Sequence, residues 1–272
     1  MTRLAFVDCH SHVCPSGDDG ASSVEEGAVL CHEAARRGTA ILFATPHVWP
    51  HLPLTQAREA RIRTAFAELA PRAGLELRLG YELTPNRPLL DEDLRRYALG
   101  GTDRVLIEVP FWVGYDELLL VAAHAVECGL LPVIAHPERA EEVLARPVLA
   151  DGLVERGWLL QVNASSLLDR HGLGSRELGW DLVQRGLATI VASDGHRQAR
   201  PPHLDGAYSL VQERLGADGD SLFNGSALFS SASSASAETE ERVGEARLRA
   251  SPTERWRRGE QVTVAATDDP PT

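Results

Sequence analysis

Short apolar segments alternate with longer segments of helical spacing over most of the chain. The apolar segments are strand-sized and rich in Val, Ile, Leu and Ala, and they begin near residues 4, 40, 75, 104, 131, 158 and 188. Continuous apolar strands of this kind are typical of a parallel sheet that helices cover on its faces. Caps and apolar spacing predict helices over about 22–37, 55–73, 115–128, 138–155 and 175–186.

Seven strand and helix units in sequence predict an α/β fold. Their number favours a closed or nearly closed βα barrel, and a doubly wound open sheet is the structural alternative. After about residue 216 the composition shifts to Ser, Ala, Glu and Arg, and large apolar side chains become rare. Such a segment buries too little apolar surface to offset its ordering entropy. We therefore expect one domain over 1–229 and a low-complexity, disordered tail over 230–272.

Charge and cysteine content exclude several classes of function. The net charge is −12 and the chain contains no lysine, so neither a Schiff-base nor a P-loop lysine is available. An acidic surface repels nucleic-acid phosphates, so we expect no nucleic-acid partner. The apolar runs are too short for a membrane span, and the first residues lack a signal-peptide pattern. Four cysteines without a CxxC motif are typical of reduced thiols, and we expect a cytoplasmic protein without membrane insertion.

Side chains that can bind metals occur where the predicted strands end. The first strand ends in "DCHSH", which places two imidazoles on one side of an extended segment. In a βα barrel the carboxyl ends of the strands share one face, which carries the active site. Burying many ionisable groups together is unfavourable unless cations pair with them. The predicted metal ligands are His10, His12, Asp19, His47, Glu82, Glu108, His136, Asp194 and His196.

The ligand types indicate which metals and which reaction the site suits. Imidazole and carboxylate ligands without thiolate suit Mn²⁺, Fe²⁺ or Zn²⁺. Nine ligands exceed the need of one ion, so we expect two or three ions. Clustered ions suit the hydrolysis of phosphate esters, because they supply hydroxide at neutral pH and offset the charge of the phosphate oxygens.

These motifs together resemble those of the PHP (polymerase and histidinol phosphatase) superfamily. Within it they resemble the bacterial CpsB/YwqE-type tyrosine-protein phosphatases of capsule and exopolysaccharide synthesis. The resemblance runs in order from about residue 4 to 215, through "DCHSH", "DDG", "TPH", "GYE", "LIE", "AHPER", "QVNAS", "ASDGH" and "RPPH". It implies a distorted (β/α)7 TIM-like barrel, the PHP domain, with three Mn²⁺ ions. The implied activity is hydrolysis of phosphotyrosine through a metal-bound hydroxide. The implied partner is a tyrosine-phosphorylated protein, such as a bacterial tyrosine kinase of polysaccharide export.

The resemblance also implies how the site residues divide the work. Arg139 and Arg200 would grip phosphate oxygens with their planar guanidinium groups, and Asp194 and His196 would act with them in catalysis. Asp8 would orient a ligand rather than bind metal. The implied ligand groups are His10, His12 and Asp194 for one ion, Glu108 and His136 for a second, Glu82 bridging these two, and Asp19, His47 and His196 for a third.

Several alternatives to this interpretation remain. The substrate could be a small phosphate ester such as a sugar or histidinol phosphate, or the chain could be a catalytically silent, metal-binding regulatory module. A cysteine-dependent mechanism would need Cys31 and Arg37 of "CHEAARR" to cradle phosphate, but a helix interior offers no free N–H groups. Trp49, Phe111 and Trp112 follow ligand motifs. Ordinary packing is the favoured explanation for them, and a wall for a phosphotyrosine ring is the alternative.

Overall fold

A computed structural model describes residues 4–111 and 114–230 of the chain. Within these ranges the strands pair with one another only in parallel. The strands are β1 (Phe6–Asp8), β2 (Thr39–Ala44), β3 (His47–Val48), β4 (Glu76–Leu79), β5 (Glu82–Leu83), β6 (Arg104–Glu108), β7 (Leu131–Ala135), β8 (Leu159–Asn163) and β9 (Ala188–Ala192).

These strands occupy seven positions around a barrel, because two positions are interrupted. β1, β2 and β4 are neighbours in one sheet, and β3, β5, β6, β7, β8 and β9 are neighbours in the other. β3 follows β2 after Thr45 and Pro46, and Pro46 lacks the N–H group that a continuous ladder needs. β5 continues the direction of β4 in the same way. The seven positions match the seven apolar segments of the sequence, and the predicted α/β fold is confirmed.

The barrel closes between its first and last positions. A parallel bridge joins Ser11 to Gly195, and the His12 N–H donates to the Gly195 carbonyl at 2.6 Å. Asp194 N–H donates to the His10 carbonyl at 2.9 Å. Because these contacts lie beyond the ends of β1 and β9, the closure itself brings two predicted ligand motifs together. The architecture is the distorted (β/α)7 barrel rather than the open sheet.

Helices connect the strands and cover the outside of the barrel. In α1 the Ser23 hydroxyl accepts the Glu26 N–H at 3.2 Å and so caps the first turn of the helix. The predicted single helix over 138–155 is wrong, since it is divided into α4 and α5 around Pro147, whose ring is incompatible with a helix interior. The helices are α1 (Val24–Arg36), α2 (Gln56–Leu69), α3 (Tyr115–Glu127), α4 (Glu141–Ala145), α5 (Val148–Glu155), α6 (Ala164–Leu167), α7 (Leu173–Gln184), α8 (Asp205–Leu215) and α9 (Ser226–Phe229).

Apolar and polar side chains divide the barrel interior along the strand direction. Leu106 and Leu159 belong to a buried apolar cluster, and side chains two residues further along a strand face the same side. Glu108 and Gln161 are therefore directed into the barrel at its carboxyl end, where they are almost fully buried. The interior thus changes from an apolar core to a polar site within two residues of each strand.

The last described residues are attached to the opposite end of the barrel. Arg104, at the start of β6, is fully buried, and its guanidinium donates to the carbonyl groups of Ala227 and Ser230 at 3.1 and 2.8 Å. The tail predicted from residue 230 onward lies, apart from Ser230 itself, outside the described residues. In the described ranges no helix is both long and apolar enough to cross a bilayer.

Candidate metal centre

The predicted site residues meet at the carboxyl ends of the strands. A cavity of about 450 Å³ opens there. His10, His12 and Glu82 adjoin the residues of this cavity but have no exposed surface of their own. The predicted residues that line the cavity are Asp19, His47, Glu108, His136, Arg139, Asp194, His196 and Arg200.

Glu82 lies at the centre of the cluster. Its Oε2 atom is 2.8 Å from His47 Nδ1, 3.1 Å from His10 Nε2 and 3.2 Å from His12 Nε2. Its Oε1 atom is 3.0 Å from His136 Nε2. Although Oε2 is buried, its geometry satisfies no hydrogen bond with the described residues. A buried carboxylate oxygen that faces three imidazole nitrogens in this way suits a shared cation.

Three groups of side chains could each hold a metal ion. His10 and His12 approach each other with their Nε2 atoms 3.1 Å apart, and two unprotonated nitrogens at this distance repel unless a proton or cation lies between them. Within each group the ligand atoms lie within 4.8 Å of one another. The groups are His10, His12 and Asp194; His10, Glu82 and His136; and His12, Asp19, His47 and His196.

This arrangement differs from the grouping implied by the family resemblance at His10, His12 and Glu108. His10 belongs to the group of Glu82 and His136 as well as to that of His12 and Asp194. His12 adjoins the group of Asp19, His47 and His196 as well as that of Asp194. Glu108 lies outside all three groups, and its Oε1 atom accepts the hydroxyl of Thr84. The donor set of imidazole and carboxylate, without thiolate, fits the divalent ions that the sequence predicts.

The charges in the cluster depend on one another. Burial lowers the pKa of His10 and His47, but nearby carboxylates, Glu82 above all, outweigh it and raise each pKa to about 9. Burial favours the neutral form of Glu82 and Asp194. The imidazoles, with Arg200 in the case of Asp194, nevertheless hold the pKa of both carboxyl groups well below its usual range. At pH 7 protons on His10 and His47 supply positive charge where divalent ions would otherwise provide it, whereas burial lowers the pKa of His136 and His196.

Glu108 is electrostatically different from the other carboxylates. Burial and the negative charge of Glu82 raise the pKa of Glu108 to about 7. A carboxyl group with this pKa is about half protonated at pH 7. A cation near Glu108 would restore its negative charge. Because Glu108 lies outside the three groups, its assignment as a metal ligand stays a prediction.

The two predicted arginines both face Asp194 from the cavity wall. Arg139 Nη1 donates to Asp194 Oδ2 at 2.9 Å, and its guanidinium carbon lies 4.9 Å from the ring centroid of Phe111. Arg200 Nη2 contacts His196 Nδ1 and lies 3.6 Å from Asp194 Oδ1. Both guanidinium groups therefore border the space next to the candidate ligands, where a phosphate group would need positive charge.

Asp18 has a site role that the sequence analysis did not assign. Its Oδ2 atom accepts the His47 N–H at 3.0 Å and lies 3.6 Å from His12 Nδ1, while Oδ1 accepts the Gly20 N–H at 3.1 Å. These contacts hold the candidate ligands His12 and His47, and the loop that contains Gly20, in position. The only signal in the sequence is the doubled acid of "DDG", which does not show which carboxylate faces the metals.

A polar network on β8 links two candidate ligands, His10 and Asp194. Gln161 Oε1 is 3.0 Å from His10 Nδ1, and Gln161 Nε2 donates to Asn163 Oδ1 at 2.8 Å. Asn163 Nδ2 donates to Asp194 Oδ2 at 2.9 Å. Asp8 accepts the backbone N–H groups of His10 and Ser193, which agrees with its predicted orienting role. Contacts of this kind fix the orientation of metal ligands.

Two candidate ligands have strained backbone conformations, and Asp169 is the third non-glycine residue with a positive φ in the described ranges. His136 has φ 38° and Asp194 has φ 51°, which is the left-handed region that side chains other than glycine rarely adopt. Each such conformation costs roughly 1–3 kcal/mol and persists only where the surroundings enforce it. The strain directs both side chains toward the centre, which is consistent with a functional rather than a stabilising role.

Aromatic rings form part of the cavity wall. Trp49 stacks on His47 with ring centroids 4.3 Å apart, and Phe111 stacks on His136 at 5.7 Å. Both aromatic side chains line the cavity. They therefore pack against candidate ligands and also present apolar surface to a bound molecule. Trp112, the third aromatic residue of the prediction, lies outside the described residues.

The segment that contains Cys31 and Arg37 does not form a phosphate-binding loop. Cys31 lies in the middle of α1, has no exposed surface and does not line the cavity. Burial raises the pKa of its thiol to about 12, so the reactive thiolate is strongly disfavoured. The structure supports the helical interpretation of this segment.

Comparison with known proteins identifies a family for this sequence and fold. The family model for capsular polysaccharide synthesis proteins CpsB/CapC matches residues 6–225. The tyrosine-protein phosphatase YwqE of Bacillus subtilis is 30% identical over 228 residues, which cover 78% of this chain and 86% of YwqE. The tyrosine-protein phosphatase CpsB of Streptococcus agalactiae is 26% identical over 225 residues, which cover 78% of this chain and 91% of CpsB.

A comparison with solved structures finds similarity to the same group of proteins. A chain from the crystal structures of YwqE from Bacillus subtilis and CpsB from Streptococcus pneumoniae, described as metal-dependent tyrosine phosphatases, aligns with a TM-score of 0.70 and 29% identity. The alignment covers 79% of this chain and 90% of the solved chain. The similarity therefore includes both the barrel and the strand ends that carry the candidate ligands.

Proposed function

The chain belongs to the CpsB/CapC family of capsular polysaccharide synthesis, and on this premise we propose that it is a metal-dependent phosphatase of phosphotyrosine in proteins. The observation that carries the proposal is the buried cluster of imidazole and carboxylate groups around Glu82, with two arginines beside it. Each component has a role in the hydrolysis of a phosphate monoester.

The ligand groups suit a trinuclear centre, with Mn²⁺ as the expected metal and Fe or Zn as alternatives. When bound, such ions would lower the pKa of water and offset the negative charge of the phosphate. Glu82 lies between the groups and would bridge them, because its two oxygens face four different imidazoles. Asp18, Gln161 and Asn163 would hold the ligands in orientation.

Arg139 and Arg200 would bind the phosphate oxygens. In the described structure both guanidinium groups face Asp194. A cation held by Asp194 would neutralise that carboxylate and leave the guanidinium groups available to the substrate. Planar guanidinium groups bind phosphate oxygens through two parallel hydrogen bonds, which fixes the phosphorus atom relative to the ligands.

Trp49 and Phe111 would hold the aromatic ring of the substrate. They border the same cavity as the arginines, and its volume of about 450 Å³ lies within the usual range for binding sites of small molecules. A phenolate leaving group requires little acid catalysis, because the pKa of tyrosine is about 10. The site thus combines an aromatic wall with phosphate-binding groups, as a phosphotyrosine side chain requires.

The expected partner is a tyrosine-phosphorylated protein, in particular a bacterial tyrosine kinase of polysaccharide export. The names of the relatives support a protein substrate, and the family description supports a role in capsule synthesis. All four cysteines of the chain are free, as is typical of a reducing compartment, and we therefore place the reaction in the cytoplasm.

A comparison of substrates tests this proposal. We expect kcat/KM for a phosphotyrosyl peptide to exceed that for glucose 6-phosphate or histidinol phosphate by about tenfold or more, since only the peptide has an aromatic ring bonded directly to its phosphate, next to the aromatic wall. Trp49→Ala should reduce this preference, because it removes part of the wall. Equal or faster hydrolysis of the small esters would support the small-phosphate alternative, and no turnover with any divalent metal would support the silent module.

A further inference from the structure

A second cavity adjoins the candidate metal centre and shares Arg200 with it. It has a volume of about 200 Å³ and lies between the segment after β8, the segment after β9 and the end of α1. A water molecule in liquid water takes up about 30 Å³, so a carboxylate or a phosphate group fits into this space. Arg200 lines both this cavity and the larger one.

The second cavity carries an excess of positive charge. Three arginines line it, Arg37, Arg170 and Arg200, and Asp205 is the only carboxylate among the residues that line it in the described ranges. Arg37 Nη1 is 2.9 Å from Asp205 Oδ2, so these two charges offset each other. His203 also lines the cavity, but burial and Arg37 lower its pKa, which disfavours a positive charge on its imidazole, and its Nε2 atom lies 2.8 Å from Glu33 Oε1.

Arg170 differs from the other arginines of the cavity. Its side chain is exposed, and within residues 4–111 and 114–230 its guanidinium makes no hydrogen bond or ion pair. Ser165, which also lines the cavity, adds a hydroxyl that can donate a hydrogen bond. In a chain of net charge −12, an unpaired guanidinium beside Arg200 is a local site of attraction for an anion.

We propose that this second cavity is an anion subsite that binds a negatively charged side chain next to the phosphotyrosine of the substrate. The inference rests on the proposed function. With the phosphate of the phosphotyrosine held by one side of Arg200, a carboxylate or second phosphate near the other side would pair with Arg170. The subsite would thus select phosphotyrosines in acidic or multiply phosphorylated segments, although the protein as a whole is acidic.

Peptides of one sequence test the subsite directly. The set contains one phosphotyrosine and, at a neighbouring position, Gln, Glu or a second phosphotyrosine, and kcat and KM are measured for each. For the wild-type protein we expect kcat/KM to be about tenfold higher with an anionic neighbour than with Gln, as for a charge-assisted hydrogen bond. The difference should lie in KM, because Arg170 does not line the larger cavity where the phosphate reacts, and so it should bind the substrate and the transition state equally.

Variants of Arg170 separate this subsite from general effects on the enzyme. The readout is the ratio of kcat/KM between anionic and neutral peptides, so a general loss of activity cancels. Arg170→Ala should bring the ratio close to one, Arg170→Lys should retain part of it, and Arg170→Glu should invert it. Arg61→Ala is the matched control, because Arg61 is also exposed but lines neither cavity, and it should keep the wild-type ratio.

Each result decides between the proposals. Turnover of the neutral peptide without any preference for anionic neighbours would reject the subsite and leave the proposed function standing. A preference that survives Arg170→Ala unchanged would also reject the subsite. No turnover of any phosphotyrosyl peptide would reject the proposed function, and the subsite with it. A preference for the second phosphotyrosine alone would identify phosphate, rather than carboxylate, as the anion that is bound.

Discussion

Glu82 is the residue whose contacts link the fold most directly to the proposed chemistry. Its carboxylate lies on a strand of two residues and faces His10, His12, His47 and His136 at 2.8–3.2 Å. Its Oε2 atom has no hydrogen bond among the described residues despite complete burial. A stabilising role alone does not account for this arrangement, whereas a bridging position between cations does.

Replacement of Glu82 by glutamine tests this role. Glu82→Gln keeps the size of the side chain but removes its charge and one acceptor, so we expect the loss of at least one bound metal ion per chain. Turnover of a phosphotyrosyl peptide should fall on the order of 100-fold or more, since supporting groups alone are worth 10–100-fold. Metal analysis and activity are measured on the same samples.

A second glutamate provides the control for this substitution. Glu68 is exposed on α2 and outside the candidate ligand groups, so Glu68→Gln should leave both metal content and turnover unchanged. A Glu82→Gln protein that keeps full metal content and full activity would show that Glu82 is not a bridging ligand.

Asp18 offers a test of a residue that only the structure assigns. Asp18→Asn can turn an amide N–H toward the His47 N–H, in place of the oxygen that accepts it now. We expect the affinity for Mn²⁺ to fall by about 10–100-fold, and activity to recover when excess Mn²⁺ is added. Titration of the metal-free protein measures this affinity. If saturating Mn²⁺ fails to restore activity, Asp18 has a role beyond orientation of the ligands.

At the scale of single residues, the sequence predicts the candidate metal ligands better than it predicts the residues that support them. The nine ligand candidates stand out because imidazoles and carboxylates interrupt apolar strands. Gln161 and Asp18 carry no such signal, since a glutamine in a strand and the first acid of a doubled pair have many other uses. Their roles depend on contacts with residues far away in the sequence, such as the contact of Gln161 with His10.

Among the elements, the loops that follow the strands determine the geometry of the site. In the loop after β1, Gly20 lies so close to His12 that a Cβ atom would be 2.3 Å from the His12 carbonyl oxygen. A Cβ atom does not come this close to a non-bonded oxygen in proteins, so any larger residue must displace the loop. Asp18 and Asp19 belong to this loop, and both depend on its position.

Gly20→Ala should therefore impair activity more than stability. We expect turnover to fall at least about tenfold, because a displacement of about 1 Å near the chemistry can cost on the order of 100-fold. The control is Gly152→Ala in α5, where a Cβ atom has open space and should stabilise the protein by about 0.5–1 kcal/mol. Thermal unfolding and activity are measured on both variants, and a Gly20→Ala protein with full activity would contradict the close packing of this loop.

The apolar pattern of the sequence predicted those strands and helices that depend on local sequence alone. Apolar runs identified the strand positions, but the interruptions at Pro46 and Gly80 depend on how the barrel distorts. The helix predicted over 138–155 failed because the apolar spacing continues through Pro147, where the backbone cannot. α8 carries an ordinary amphipathic pattern that follows a long loop, and the sequence analysis assigned no helix there.

For the molecule as a whole, barrel closure is the property that creates the site. Ser11 and Gly195 are far apart in the sequence, and their bridge brings the first ligand motif against the last. No local pattern predicts such a contact, although the expectation that all strand ends share one face follows from the fold class. The sequence therefore indicated which residues meet, while the distances between them required the structure.

The metal dependence of turnover is the central claim, and a titration of the wild-type protein with Mn²⁺ after treatment with a chelator tests it most directly. Bound ions per chain and hydrolysis of a phosphotyrosyl peptide are measured in the same samples. We predict that the metal-free protein is inactive and that turnover returns as ions bind, up to about two or three per chain. Turnover without bound ions, or a fully loaded protein that hydrolyses no phosphotyrosyl peptide, would contradict the account.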